Sequence, residues 1–151
     1  MNSKELVLQF RIADIKTLEF AILEENFNET AEVGLSTSFQ FGFDDENHVV
    51  GVDVTFQFMH NDQPFLLITV RCGFEINEEA FDSFKSDNII TVPKGFASHL
   101  AVITVGTARG VLHEKTNDTP FNDYIIPTIN LTEIIKEDIV IDLDTDEHKE
   151  E

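Results

Sequence analysis

PKGFASHLAVITVGTARGVLHE, residues 93–114, carries no Asp, Glu, Lys or Arg between Gly95 and Ala108, in a chain of formal net charge −19. Phe96, Leu100, Ile103 and Thr107 form one helical stripe; Ala101, Val105, Ala108 and Leu112 form another. A surface helix of a monomer keeps one face wet, so apolarity all round implies cover on both sides. Two settings meet that condition. One is a helix pressed between its own sheet and a second copy, with Ala101, Val105, Gly106, Ala108, Arg109 and Leu112 at the interface. The other is a helix, or even a strand, inside a monomeric core. The uncharged run is shorter than the roughly 20 residues a bilayer span needs. Val102–Val105 are β-formers in isolation, and Gly106 and Gly110 each cost about 1 kcal/mol in a helix. Burial of Leu100, Ile103 and Val105, about 1.5–3 kcal/mol apiece, outweighs both, and Pro93 suits a first turn. The Gly106–Gly110 spacing also lets another backbone come close.

Upstream of this helix the pattern changes from helical to alternating. Leu35, Phe39, Phe41 and Phe43 alternate with Ser36, Ser38, Gln40 and Gly42; after Asp44-Asp45-Glu46-Asn47, Val50, Val52, Val54, Phe56 and Phe58 alternate with Gly51, Asp53, Thr55 and Gln57. Period two over such a length means a sheet with one apolar and one wet face, and the acidic turn makes the pair an antiparallel hairpin. His60-Asn61-Asp62-Gln63 leads into a further strand over 64–76, where Leu66, Ile68, Val70, Cys72, Phe74 and Ile76 share one parity. Residues 5–23 read as a first strand, with Asp14 and Lys16 breaking the alternation as a bulge does. Asn77–Val92 connects sheet to helix, with a helical turn or two over Glu78–Phe84. Beyond Asn117–Asn122, Tyr124–Leu131 is extended and excluded from a central strand by Pro127. Thr132 is placed to cap a short helix over Glu133–Lys136, with Thr132 or Leu131 near its start. The fold expected is therefore α+β: a four-stranded antiparallel sheet, a long helix in the C-terminal half and a short second helix. One domain covers 1–136, and the acidic residues 137–151 form a mobile tail. Within it, Ile139, Val140, Ile141 and Leu143 are apolar enough to dock.

Composition narrows the function classes. Hydrophobic content of 42% with 14 Phe describes a globular domain. Ten basic against 29 acidic residues oppose nucleic acid and anionic membrane surfaces, and favour a basic polypeptide as partner. A single cysteine and no signal-peptide-like run fit a reducing, cytoplasmic setting. Five histidines without ligand spacing give no metal site, and no cofactor is expected. Cys72 sits on the core parity without a neighbouring His, and Ser98-His99 face different ways on a helix. Asp142-x-Asp144-x-Asp146 lacks the Gly of a calcium loop. An enzyme is not expected.

In order along the chain, Leu8-Gln9-Phe10-Arg11-Ile12, Ala31-Glu32-Val33-Gly34-Leu35, Arg71-Cys72-Gly73-Phe74, the spacing of Phe96, Ile103-Thr104 and Arg109-Gly110, and then Pro120, Pro127 and Asn130 resemble the SecB family of protein-export chaperones. The likeness covers roughly residues 5–136. It implies a homotetramer, a dimer of dimers, whose sheets pair at one interface and whose long helices pack at the other. Unfolded or precursor polypeptide is then held without ATP in apolar grooves. By position, Val33, Leu35, Phe74, Ile76, Phe81, Phe84, Phe96, Leu100 and Ile103 would line the groove. One departure matters. The family's motor-docking face is acidic, whereas here the corresponding wet face carries Gln9, Arg11, Ser38, Gln40, Asp53, Thr55, Gln57 and Thr69. A translocase motor therefore stays open as a partner, as does service to another system such as a toxin–antitoxin pair. The alternative function is a specific-partner or small-ligand binding module on the same scaffold.

Overall fold

The computed structural model describes residues 7–142. Four strands build the main sheet: β1 (Phe10–Ile22), β2 (Gly34–Asp44), β3 (Val49–His60) and β4 (Gln63–Ile76), in the order β1-β4-β3-β2, antiparallel throughout. Alternation sets its two faces. Val50, Val52, Val54, Phe56, Phe58 and His60 of β3 are all buried, and they pair with the buried even positions of β4: Val54 opposite Val70, Phe56 opposite Ile68. The other face is wet. It carries Thr55 and Thr69, hydrogen-bonded hydroxyl to hydroxyl at 2.9 Å, and the Arg71–Asp53 pair at 2.7 Å.

Local chemistry fixes both hairpins. In the β2–β3 turn the Asp44 carboxylate accepts from Asn47 Nδ2 at 2.7 Å and from the Glu46 and Asn47 backbone N–H groups. Chiefly through that Asn47 side chain, the Asp44 carboxyl is held below its ordinary value. A depressed carboxyl pKa adds stability above the unfolded value and loses it as pH falls through the folded one. Asp44→Ala should therefore cost most at neutral pH, by a small amount at so exposed a site. Its difference from the parent in chemical denaturation should shrink on acidification below pH 4. The β3–β4 turn holds Asn61 and Asp62 at φ 53° and 62°, the left-handed pair of a two-residue hairpin.

The expected break in β1 is present twice. Register shifts fall between Ile12 and Asp14 and between Thr17 and Glu19, leaving Ala13 and Leu18 out of the pairing. The strand begins at Phe10, later than the sequence suggests, and residues 5 and 6 lie outside those described.

After β4 come α1 (Glu78–Phe84), as expected, and then two strands that alternation did not reveal, β5 (Lys85–Ser86) and β6 (Ile89–Val92). The long helix, α2 (Lys94–Lys115), begins after Pro93 as N-cap and lies over β3 and β4. Its inward face is Ala97, Leu100, Ala101, Thr104, Val105, Ala108 and Leu112, at the i, i+3, i+4 spacing of a core-facing helix. Thr104 is satisfied in the core because its hydroxyl donates to the Leu100 carbonyl at 2.8 Å. By length and composition alone α2 could cross a membrane; in this fold its inward face is core. The short α3 (Leu131–Ile134) starts at Leu131, ahead of the expected span, and is capped by Asn130, whose Oδ1 accepts from the Thr132 N–H, so Thr132 is not the cap.

The boundary placed at residue 136 needs correction. Ile139–Asp142, assigned to the tail, form β7, which pairs antiparallel with β6 to complete a three-stranded sheet, β5-β6-β7. Exposed in isolation, those β-branched residues gain a backbone ladder and cover for Ile141 there. The rest of the expected tail, 143–151, lies outside the described residues.

Candidate functional site

The inner face of the main sheet is wider than α2. Register assigns Phe10, Ile12, Ile15, Thr17, Phe20 and Ile22 of β1 to that inner face, because their partners on β4 are inner residues. Yet Ile12, Ile15 and Thr17 are exposed, Ile15 by 50%. On the far side of the helix, Leu35, Phe39, Phe41 and Phe43 of β2 are half-buried, and β7 lies against this strand. The result is a strip of partly covered apolar surface on each flank of α2.

The β1 flank is the better defined. Phe96 sits between Phe10, at 5.2 Å between ring centroids, and Phe84, at 5.8 Å; Phe10 also meets His99 edge-on at 5.6 Å and Phe74 at 6.2 Å. At the other end Lys115 Nζ lies 5.5 Å from the Phe20 ring centroid. Between these two contacts the middle of β1 keeps its apolar side chains uncovered. Edge-to-face rings of this kind hold a wall in place while leaving its outer surface apolar.

The nine residues read as a groove divide on burial. Val33 is exposed, and Leu35, Phe84, Phe96 and Ile103 are half-buried, so these five lie at the surface. Phe74, Ile76, Phe81 and Leu100 belong to the closed core and offer nothing to a ligand in this state. Val33 instead lines an open depression of about 380 Å³ with Glu32, Met59, Asn61 and Asp62. Ile12, Ile15 and Leu18, which the sequence reading did not include, are more accessible than most residues it chose. The signal was available: apolar residues in β1 persist on both sides of the charged break at Asp14 and Lys16.

The residues expected at an interface divide on burial as well. Ala101, Val105, Ala108 and Leu112 point into the protomer's own core, because their stripe is the one that meets the sheet. The outward stripe is His99, Val102, Gly106 and Gly110, uncharged, with Val102 53% exposed. A side chain added at Gly110 would meet nothing within 4 Å, and one at Gly106 only Arg109 Nη1 at 3.9 Å. Among the described residues nothing uses the room these glycines leave.

Arg109 has an internal task. Its Nε donates to the Ile126 carbonyl at 2.6 Å and its Nη2 to the Pro127 carbonyl at 2.8 Å. Pro127 cannot donate to a ladder, so this segment's carbonyls are satisfied by a side chain rather than a strand. Arg109→Ala should destabilise the fold by roughly 2 kcal/mol, since hydrogen bonds to a charged group are worth about 1.5–3 kcal/mol. Arg109→Lys, a point charge with no fork, should recover less than half of that in denaturant titration.

A second aromatic group closes the opposite end of the molecule. Phe65 is buried among His60 (4.4 Å), Tyr124 (5.0 Å), Phe27 (5.2 Å), Phe121 (6.1 Å) and Phe58 (6.4 Å). The buried His60 accepts at Nδ1 from the Asn28 N–H at 2.9 Å, which puts its own hydrogen on Nε2. Among the described residues no three His, Cys, Asp or Glu side chains converge as metal ligands would. The sequence matches no protein-family model and no curated protein.

Proposed function

We propose that this protein is an ATP-independent chaperone of SecB type, which holds unfolded polypeptide along apolar strips flanking α2 and works as an oligomer. The observation that carries the reading is the uncovered inner face of β1, with Ile12 and Ile15 exposed on the strand whose Phe10 packs against Phe96. Sequence-tolerant binding of unfolded chains needs extended apolar surface on a soluble scaffold. A net charge of −19 keeps such a scaffold dispersed and favours basic clients.

Self-association has its own support. Among the described residues no strand pairs with the outer edge of β1, and Arg11, Asp14, Lys16 and Glu19 all lie on its wet face. In an antiparallel pair of β1 strands centred on Ile15, Arg11 meets Glu19 of the partner subunit, and Asp14 meets Lys16 of the partner subunit. Every charge then faces its opposite. Such pairing also removes an exposed edge strand.

A second reading, a module for one specific partner, is favoured by the closure of Phe74, Ile76, Phe81 and Leu100 into the core. The two part in a light-scattering assay with a thermally unfolded client. A chaperone suppresses aggregation of several unrelated clients at stoichiometric excess, and Ile15→Asp weakens that suppression. Failure with every client defeats the proposal and leaves the specific module.

A further inference from the structure

We infer that β7 is an internal occupant of a polypeptide site, and that the β6 edge it covers takes an extended client segment with apolar side chains at alternate positions. The inference rests on the chaperone reading and names a site within it.

Three observations lead there. First, β7 binds as a client strand would. It pairs through Ile89–Asp142, Ile90–Ile141, Thr91–Val140 and Val92–Ile139, turning Ile141 inward (6% exposed) and Val140 outward (62%). Affinity comes from backbone bonds and alternate small apolar pockets, the sequence-tolerant mode of strand addition. Second, it borders an apolar flank. β6 has the hairpin partner β5 on its other edge, and β7 lies against β2, the strand that carries the half-buried Phe39, Phe41 and Phe43. Third, β7 is built to leave. It is a four-residue strand at the edge of a small sheet, with Ile141 its one buried side chain. Just upstream, Asp138 accepts from the Lys94 N–H at 2.9 Å, at the start of α2, and Ile135 is buried. β7 can therefore swing out about residue 138 while the chain before it stays fixed. Short, edge-located segments with few buried side chains open at the low end of the local stability range.

Charge states the partner's chemistry. The chain's net charge of −19, to which Asp138 and Asp142 contribute, gives an acidic strand no long-range attraction to this edge. An incoming strand with Lys or Arg beside its apolar residues makes the same ladder with attraction instead.

The test locks β7 in place. Thr91 and Val140 are directly opposite, within the reach of a disulfide after Thr91→Cys/Val140→Cys, and the buried Cys72 stays out of the exchange. Binding of a fluorescein-labelled peptide, SKIVIKVKS, is read by anisotropy on the full-length chain. The oxidised variant should bind at least tenfold more weakly than the same protein after reduction, which should match wild type. Full-length Ile141→Asp, with β7 unseated, should bind at least tenfold more tightly than wild type. Equal binding by the oxidised and reduced forms overturns the placeholder while leaving the chaperone reading intact. No binding by wild type, reduced variant or Ile141→Asp overturns both.

Discussion

Phe65→Ala should lower the free energy of unfolding by about 3–5 kcal/mol, the range for deleting a fully buried aromatic side chain. The upper half of that range is expected, because the cavity could not collapse. The ring's neighbours come from separate parts of the chain: Phe27 before β2, Phe58 and His60 on β3, and Phe121 and Tyr124 after α2. Closing the void would have to move all of them together, and each is tied elsewhere. Asn28 N–H holds His60 Nδ1, and Thr119 Oγ1 accepts from the Phe121 N–H. Guanidinium titration should show a lower midpoint with little change of slope. A loss under 1 kcal/mol would mean that the aromatic group is loosely packed. Phe65→Leu, which restores most of the volume, should recover over half of the loss.

The second large effect concerns association. Arg11→Glu/Lys16→Glu makes the wet face of β1 wholly acidic. In the antiparallel pairing centred on Ile15, four opposed charge pairs per dimer become four like-charge pairs. Cross-strand pairs contribute roughly 0.2–1 kcal/mol each, and like charges directly opposite oppose pairing by similar amounts. The sum is roughly 3 kcal/mol, or about a hundredfold weaker self-association by analytical ultracentrifugation. The complementary variant, Asp14→Lys/Glu19→Lys, is wholly basic there and should also fail to pair with itself. Mixed, the two should form heterodimers. Arg11 also bonds Glu75 within the chain at 3.2 Å, but exposed pairs of this kind contribute little, so the melting temperature of each variant should hardly move. Wild-type association by the acidic variant would exclude β1 as the contact.

The parts of the fold legible from sequence were those in which one residue's environment fixes its neighbour's. Between Val49 and His60 the side chains alternate without a slip, so strand, face and register follow from one another. α2 was legible as a buried helix, but its rotation was not. With Ala, Gly, Val and Thr on every side, its hydrophobic pattern carries almost no phase, and the choice between the Ala101–Leu112 stripe and the Val102–Gly110 stripe needed the sheet. β7 lay hidden because four residues among acids make a strand only beside β6, far away in sequence. Phe65 was visible only as an apolar residue out of step. The shift between Phe58 and Met59 explains how consecutive Phe65 and Leu66 are both buried. Of the candidate site, the helix and linker residues were partly legible, whereas the accessible middle of β1 was not. Its bulges at Ala13 and Leu18 scramble the parity from which exposure is read.

The strand order carries a consequence for biosynthesis. β2, β3 and β4 follow one another through tight turns, but β1, made first, pairs with β4, the last of the four to be made; Arg11 and Glu75 are 64 residues apart. On the ribosome the leading segment must wait, its backbone unpaired, until β4 clears the exit tunnel. Domain closure is therefore a late, slow event set by loop entropy. Nascent chains stalled before Ile76 should be caught by the cell's own holdases, and those released beyond it should escape them.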